Sequence, residues 1–192
     1  MDDKIRSYID SLTIDSIPWR RMVTAYGTAE RYGETLSILE RTDDVNEWKY
    51  AFDTISDFEH QSTMFQPAPF VLVFLVRILD KRLDSITRSD KIIAQKLIDQ
   101  FRYYAEICND AEKMEHPQQL SSFSDILDEK YLLSEDWDDD ELDAFFEDED
   151  PIPDDLFYSF YYYSKTVLSQ VPDIIDKYGK FAEESAEIKS KL

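Results

Sequence analysis

The stretch that decides the fold is PAPFVLVFLVRILDKRL, Pro67–Leu83. Pro67 and Pro69 open it, and from Phe70 to Leu79 it is apolar on every side, with Arg77 the one interruption before Asp80. Its β-branched residues would suit a buried strand, but no other convincing strand is present to pair with it. The reading is therefore a central buried helix that continues through Leu83.

Working outward, the next segment carries the clearest amphipathic pattern in the chain. After Ser89-Asp90, residues Ile93, Leu97, Phe101, Tyr104, Cys108 and Ala111 recur at threes and fours over about five turns. Before the central helix, Asp44 with Glu47 predicts a capping box for a helix whose stripe is Trp48, Ala51, Phe52, Ile55 and Phe58, ending near Glu59-His60-Gln61. Leu36, Ile38 and Leu39 predict a short helix over 34–40. Ser16-Ile17-Pro18 predicts another, with Trp19, Met22, Val23 and Tyr26 inward and Gly27 as its stop. Ile5, Ile9 and Leu12 make an opening helix behind Asp2 and Asp3, whose carboxylates offset the positive end of its dipole.

Toward the C-terminus, Phe123, Ile126, Leu127, Tyr131 and Leu132 predict a short helix after the breaker Pro117. Leu156, Phe160, Tyr163 and Val167 line a helix face. A last helix from Pro172 carries Ile174, Ile175, Tyr178, Phe181 and Ile188, running through Gly179 at a cost of ~1 kcal/mol relative to alanine. Helices joined by short breaks pack as antiparallel hairpins. The expected fold is thus a single all-α domain over 1–192, either a HEAT-like α-solenoid or an irregular helical bundle.

Composition narrows the function classes. At 192 residues, 43% of them apolar, the chain can bury a core without disulfides or metal. Its glycines are Gly27, Gly33 and Gly179, too few for a hairpin-rich β protein or for a phosphate-cradling loop. The lone Cys108 cannot form an internal bridge, and MDDKIRSYIDSL lacks the pattern of a secretory signal, so a reducing cytoplasm is expected. The apolar run from Ala68 to Val76 is well short of the ~20 residues of a membrane span. A formal charge of −21 repels nucleic-acid backbone and favours a basic partner.

That charge is concentrated. Residues 134–155, SEDWDDDELDAFFEDEDPIPDD, hold 13 acids and no Lys or Arg. Trp137, Leu142, Phe145 and Phe146 set the segment apart from a plain acidic tail, because aromatics beside carboxylates combine apolar anchoring with steering of a cationic surface. The candidate partner-binding residues are Asp136, Trp137, Asp138, Asp139, Asp140, Glu141, Phe145, Phe146, Glu147, Asp148, Glu149 and Asp150. The plainer alternative is a solvated loop or helix whose aromatics tuck onto the core and whose charge serves solubility. A calcium loop is a third reading, with Asp136, Asp138, Asp140 and Glu147 at positions one, three, five and twelve. Glu141 then stands where the tight turn wants glycine, and Asp143 where an apolar residue is usual.

The remaining chemistry-bearing residues point to structure. His60 and His116 form no ligand pair with usual spacing, so no zinc set assembles and no metal or cofactor is expected. His60-Gln61 reads as a helix-end cap, Cys108 as a small core residue, and the aromatic run Phe157–Tyr163 as core or protein interface, since no Lys or Arg lies near enough to serve stacked bases. With no nucleophile, metal set or phosphate loop, no catalytic residue is assigned.

Over roughly residues 18–79, the sequence resembles a family of bacterial HEAT-like repeat proteins. The likeness is carried by Pro18-Trp19, Ala25-Tyr26-Gly27-Thr28-Ala29, Leu36, Leu39, Ala51 to Ile55, His60-Gln61 and Ala68-Pro69-Phe70 to Leu75. Ser62 departs from it, standing where the family usually has glycine. The resemblance implies helical hairpins. By analogy of fold, some small acidic bacterial proteins of helical-repeat type resemble immunity proteins that neutralise toxins. The expectation is a non-catalytic, immunity- or antitoxin-like protein of a bacterial cytoplasm that captures a basic partner such as a nuclease-type toxin. A HEAT-like scaffold or adaptor, its acidic segment serving only solubility, is the alternative.

Overall fold

The computed structural model describes residues 1–85 and 87–192. Its helices are α1 (Asp3–Ser11), α2 (Tyr32–Arg41), α3 (Val45–Thr54), α4 (Ala68–Asp84), α5 (Arg88–Lys113), α6 (Asp139–Glu147), α7 (Asp154–Leu168), α8 (Val171–Tyr178) and α9 (Ala182–Lys191). Two minimal antiparallel hairpins interrupt them: β1 (Val23–Thr24) with β2 (Gly27–Thr28), and β3 (Glu59–His60) with β4 (Thr63–Met64). The fold is all-α, as the apolar spacing predicts. Among the described residues no helix is long and apolar enough to cross a membrane.

The decisive stretch is the axis of the molecule. Thirteen of the 17 residues of α4 are buried, and α2, α5, α7 and α8 pack around it. In a solenoid each repeat touches only its sequence neighbours; here α7 wedges against both α4 and α5, so the packing is that of an irregular bundle. The charge inside the apolar run serves the structure. Arg77 donates to the carbonyls of Ile9 at 2.7 Å and Leu12 at 2.8 Å, and so satisfies the open C-terminus of α1. The apolar stripe of α5 is buried from Ile93 to Cys108, and Thr87 caps its first turn.

Four elements differ from expectation. The helix predicted after Pro18 is a short 3-10 turn, Trp19–Arg21, followed by the first hairpin. Pro18 takes a non-helical ψ of 58°, the Trp19 indole N–H is held by the Ile14 carbonyl at 2.8 Å, and the Thr24 hydroxyl is drawn to Asp57 at 2.8 Å. Tyr26 consequently points outward, 72% exposed.

The helix of Trp48 stops at Thr54, and His60-Gln61 belongs to the second hairpin instead of a helix cap. Gln61 and Ser62 form its turn with φ of 51° and 64°, a left-handed conformation that costs a non-glycine residue roughly 1–2 kcal/mol. The Glu59 carboxylate supports the turn by accepting the Ser62 N–H at 2.8 Å. Asp44 does cap α3, accepting from the N–H groups of Asn46 and Glu47, but Glu47 turns to the Thr42 hydroxyl, so the expected box is only half made.

Between α5 and α6, the predicted short helix is two 3-10 turns, Phe123–Leu127 and Glu129–Tyr131. The last helix breaks where Gly179 adopts φ +62°, and the chain folds back so that Ile188 of α9 reaches the core.

Candidate protein-binding site: the acidic arm

The segment 134–155 leaves the bundle as an arm fixed at both roots. At its start, Leu133 and Arg21 hold each other: the Leu133 N–H donates to the Arg21 carbonyl at 3.0 Å, and Arg21 Nε donates back to the Leu133 carbonyl at 2.5 Å. Arg21 also grips both carboxylate oxygens of Glu129, at 3.1 and 2.6 Å. Arg20 holds the next residues, donating to the carbonyls of Glu135 (2.9 Å) and Trp137 (3.4 Å), with its guanidinium 5.0 Å from the centre of the Trp137 ring. At the far end, Pro151 and Pro153 stiffen the return into α7, where the Phe157 N–H closes the first turn on the Pro153 carbonyl.

Between these roots α6 forms for local reasons. Asp138 accepts the Glu141 N–H at 3.1 Å as N-cap, and Asp139, Asp140 and Glu141 sit in the first turn, where the helix dipole favours negative charge. Glu141 reaches back to the hydroxyl and N–H of Ser134, at 2.6 and 2.7 Å, and these bonds hold its carboxyl below the usual range. No residue of α6 is buried. The helix stands off the body, over a cleft of about 740 Å³ lined mainly by the arm, the turns before it and the start of α7.

The predicted partner-binding residues sort into distinct roles. Asp136, Asp138, Asp139, Asp140, Glu147, Asp148, Glu149 and Asp150 are exposed, and among the described residues no Lys or Arg side chain forms an ion pair with any carboxylate of the arm. Phe146 is 48% exposed and free for a partner. Phe145 is half-buried and faces the cleft. Two of the twelve make contacts within the chain: Trp137 is half-buried beside the Arg20 guanidinium, and the Glu141 carboxylate accepts from Ser134 at the surface. Sequence reasoning missed Arg20 and Arg21. The signal was an Arg-Arg pair beside Trp19 in a chain with 42 acids against 21 Lys and Arg.

The calcium-loop reading fails on geometry. Asp140 and Glu147 lie at opposite ends of one helix, seven residues and so roughly 10 Å of rise apart, and cannot wrap one ion. Among the described residues no group of three His, Cys, Asp or Glu is placed to hold a metal.

The other candidates lie elsewhere. His60 meets Tyr26 edge-on, with the phenol oxygen 2.9 Å from Nε2, so the two hairpins touch through these side chains. His116 stacks on Tyr158, their ring centres 3.6 Å apart. Cys108 is buried beside a second cavity of about 420 Å³, and burial pushes its thiol up to about 12. In α7, Tyr158, Phe160, Tyr161 and Tyr163 are buried, and two of the phenols bond to backbone outside the helix: Tyr161 accepts the Met64 N–H of β4 at 3.2 Å, and Tyr163 donates to the Leu120 carbonyl at 2.7 Å. No family model matches the chain, and neither does any curated protein or solved structure, so the arm's own geometry carries its functional reading.

Proposed function

We propose that this protein is a non-catalytic binding module whose acidic arm captures a basic protein. The observation that supports the reading is the arm itself, a helix tethered at both ends whose carboxylates form no ion pair with a Lys or Arg side chain among the described residues. Concentrated unpaired charge on a fixed support raises the encounter rate with a cation-rich surface, and the exposed Phe146 adds an apolar contact where water can be expelled. The preferred role is immunity- or antitoxin-like neutralisation of a basic effector such as a nuclease-type toxin, the carboxylates taking the place of nucleic-acid phosphates. Kinship with bacterial HEAT-like proteins over residues 18–79 belongs to the same proposal.

The test replaces Asp139, Asp140, Asp143 and Glu147 by Ser, Ser, Asn and Gln, which spares the cap Asp138 and the latch Glu141. Partner isolated from the native host should bind this variant at least tenfold more weakly at low salt, a loss of about 1.4 kcal/mol or more. The difference should shrink as ionic strength rises, because salt screens exposed charges. Unchanged affinity at low salt discards the reading.

The alternative, a scaffold or adaptor, is favoured by Tyr26, in the turn of the first hairpin, and Tyr50, on α3, which stand 72% and 78% exposed outside the acidic segment. Binding through such aromatics would be nearly indifferent to salt.

A further inference from the structure

Between α8 and α9 the local pattern and the fold disagree. Ile174, Tyr178, Phe181, Ser185 and Ile188 follow one another at spacings of four, three, four and three, the seam of one uninterrupted helix. Instead the chain turns through two left-handed residues, Gly179 at φ +62° and Phe181 at φ +54°. Glycine accepts that conformation freely, whereas for an aromatic residue it is disfavoured by roughly 5–30-fold. The seat of α9 holds the turn in place. The helix packs against α5 and α8 and buries Ser185 and Ile188 of its 10 residues. Ser185 donates to the Asp176 carboxylate at 2.7 Å, Glu187 pairs with Arg102 at 2.5 Å, and Lys191 pairs with Glu106 at 2.7 Å. None of these contacts requires that α9 and its seat belong to the same copy of the chain.

We infer that this protein exchanges α9 with a second copy of itself, with residues 179–181 as the hinge. In the exchanged form the hinge is helical, α8 and α9 run on as one helix, and each α9 takes the same seat on the other copy. The seat contacts are then equal in the two forms, so the balance is set at the hinge. Straightening releases Phe181 from its left-handed state but places Gly179 inside a helix, where glycine is unfavourable by a comparable factor. These opposed terms leave the hinge poised, and a short strained connection invites exchange. The seat matches α9 in particular, because it sets Arg102 opposite Glu187 and Glu106 opposite Lys191 around the buried Ile188. Repulsion between two copies that each carry −21 opposes their encounter, so high ionic strength favours the exchange by screening it.

The test is Gly179→Ala in the full chain, followed by sedimentation equilibrium at high ionic strength. A Cβ at position 179 meets no atom within 4 Å, so the substitution disturbs no packing. It favours the helical hinge twice over, through alanine's helix preference and through its penalty in the left-handed region. Each hinge should shift by roughly 5–30-fold, and because a dimer holds two, its association constant should rise by at least about 25-fold over the parent. A second arm identifies the exchanged element. In the Gly179→Ala background, Arg102→Glu and Glu187→Arg each set like charges across the seat, and mixing the two variants restores opposite charges only where α9 crosses between copies. With one variant isotope-labelled, native mass spectrometry should show the mixed dimer in severalfold excess over either homodimer. A Gly179→Ala chain that stays monomeric like the parent, or dimers with no preference for the mixed species, overturns the inference.

Discussion

Arg82→Met should be among the most damaging single substitutions in this protein. Arg82 lies near the end of α4, 4% exposed, and one guanidinium serves three elements. Its Nη1 donates to Asp90 at 2.6 Å and to Asp43 at 2.7 Å; its Nη2 donates to the Thr42 carbonyl at 2.6 Å and, more distantly, to those of Leu39 and Glu40. Methionine keeps most of the stem's packing but strands the Asp90 carboxylate, itself 5% exposed. Breaking a buried pair by removing one partner costs about 3–5 kcal/mol, a large share of the roughly 5–15 kcal/mol that holds a domain folded. At about 2–4 °C per kcal/mol for a chain of this size, Tm should fall by roughly 6–20 °C.

The pH dependence carries the sharper test. In the parent, burial disfavours the Asp90 carboxylate, but hydrogen bonds from Ser85, Thr87 and Arg82, with the Arg82 charge, outweigh it and hold the group below its ordinary value. A carboxyl depressed on folding contributes stability above its unfolded value of about 3.9, and that contribution disappears as pH falls through the lower folded value. With Arg82 removed, its hydrogen bond and charge are lost while burial and the Ser85 and Thr87 bonds stay, so the Asp90 carboxyl should lie above its parent value, and the variant's deficit should narrow as pH drops from 7 through that higher value toward 3. Urea unfolding followed by circular dichroism at both pH values reads this directly. A deficit below about 1 kcal/mol at pH 7, or one that does not change with pH, would refute the reasoning.

Two further outcomes follow from the arm and the core. Arg20→Ala removes a cation–π contact worth about 0.5–1 kcal/mol at an exposed site, plus two hydrogen bonds to the arm's backbone. It should speed amide exchange across residues 134–147 severalfold while leaving Tm within about 2 °C; exchange at the parent rate there would show that Arg20 holds nothing. Cys108 should resist a disulfide exchange reagent at pH 8 in the native protein and react at a rate set by unfolding, since thiolate is the reacting form and burial suppresses it. Rapid labelling without unfolding would contradict its burial.

The parts of this fold that a reader of the sequence can find are those whose signal is local. The all-round apolar run of α4 and the stripe of α5 specify helices without help from neighbours. The hairpins are hidden because their determinants are distant: Thr24 is held by Asp57, Tyr26 meets His60, and the left-handed turn at Gln61-Ser62 contains no glycine to betray it. Gly179 misleads in the opposite direction, since a glycine inside an apolar pattern suits either a tolerated helix position or a left-handed stop, and only the docking of Ile188 selects the stop. The charge of the arm is plain in the composition. Its tether to Arg20 and the space below α6 are not, because one spans more than a hundred residues and the other arises where a helix fails to pack.

The solitary stance of α6 has an energetic corollary. Asp139, Asp143 and Glu147 succeed one another at four-residue spacing along one edge, and such like-charged neighbours each work against the helix by about 0.2–0.5 kcal/mol. Nine residues are too few to be helical on their own. Dissolved counterions should therefore firm up the helix even as they blunt its pull on a distant cation, so winding and attraction respond oppositely to ionic strength. The basic partner of the proposed function would escape that trade-off, quieting the mutual repulsion and occupying the attracting edge at once, and so completing the fold of the element that would hold it.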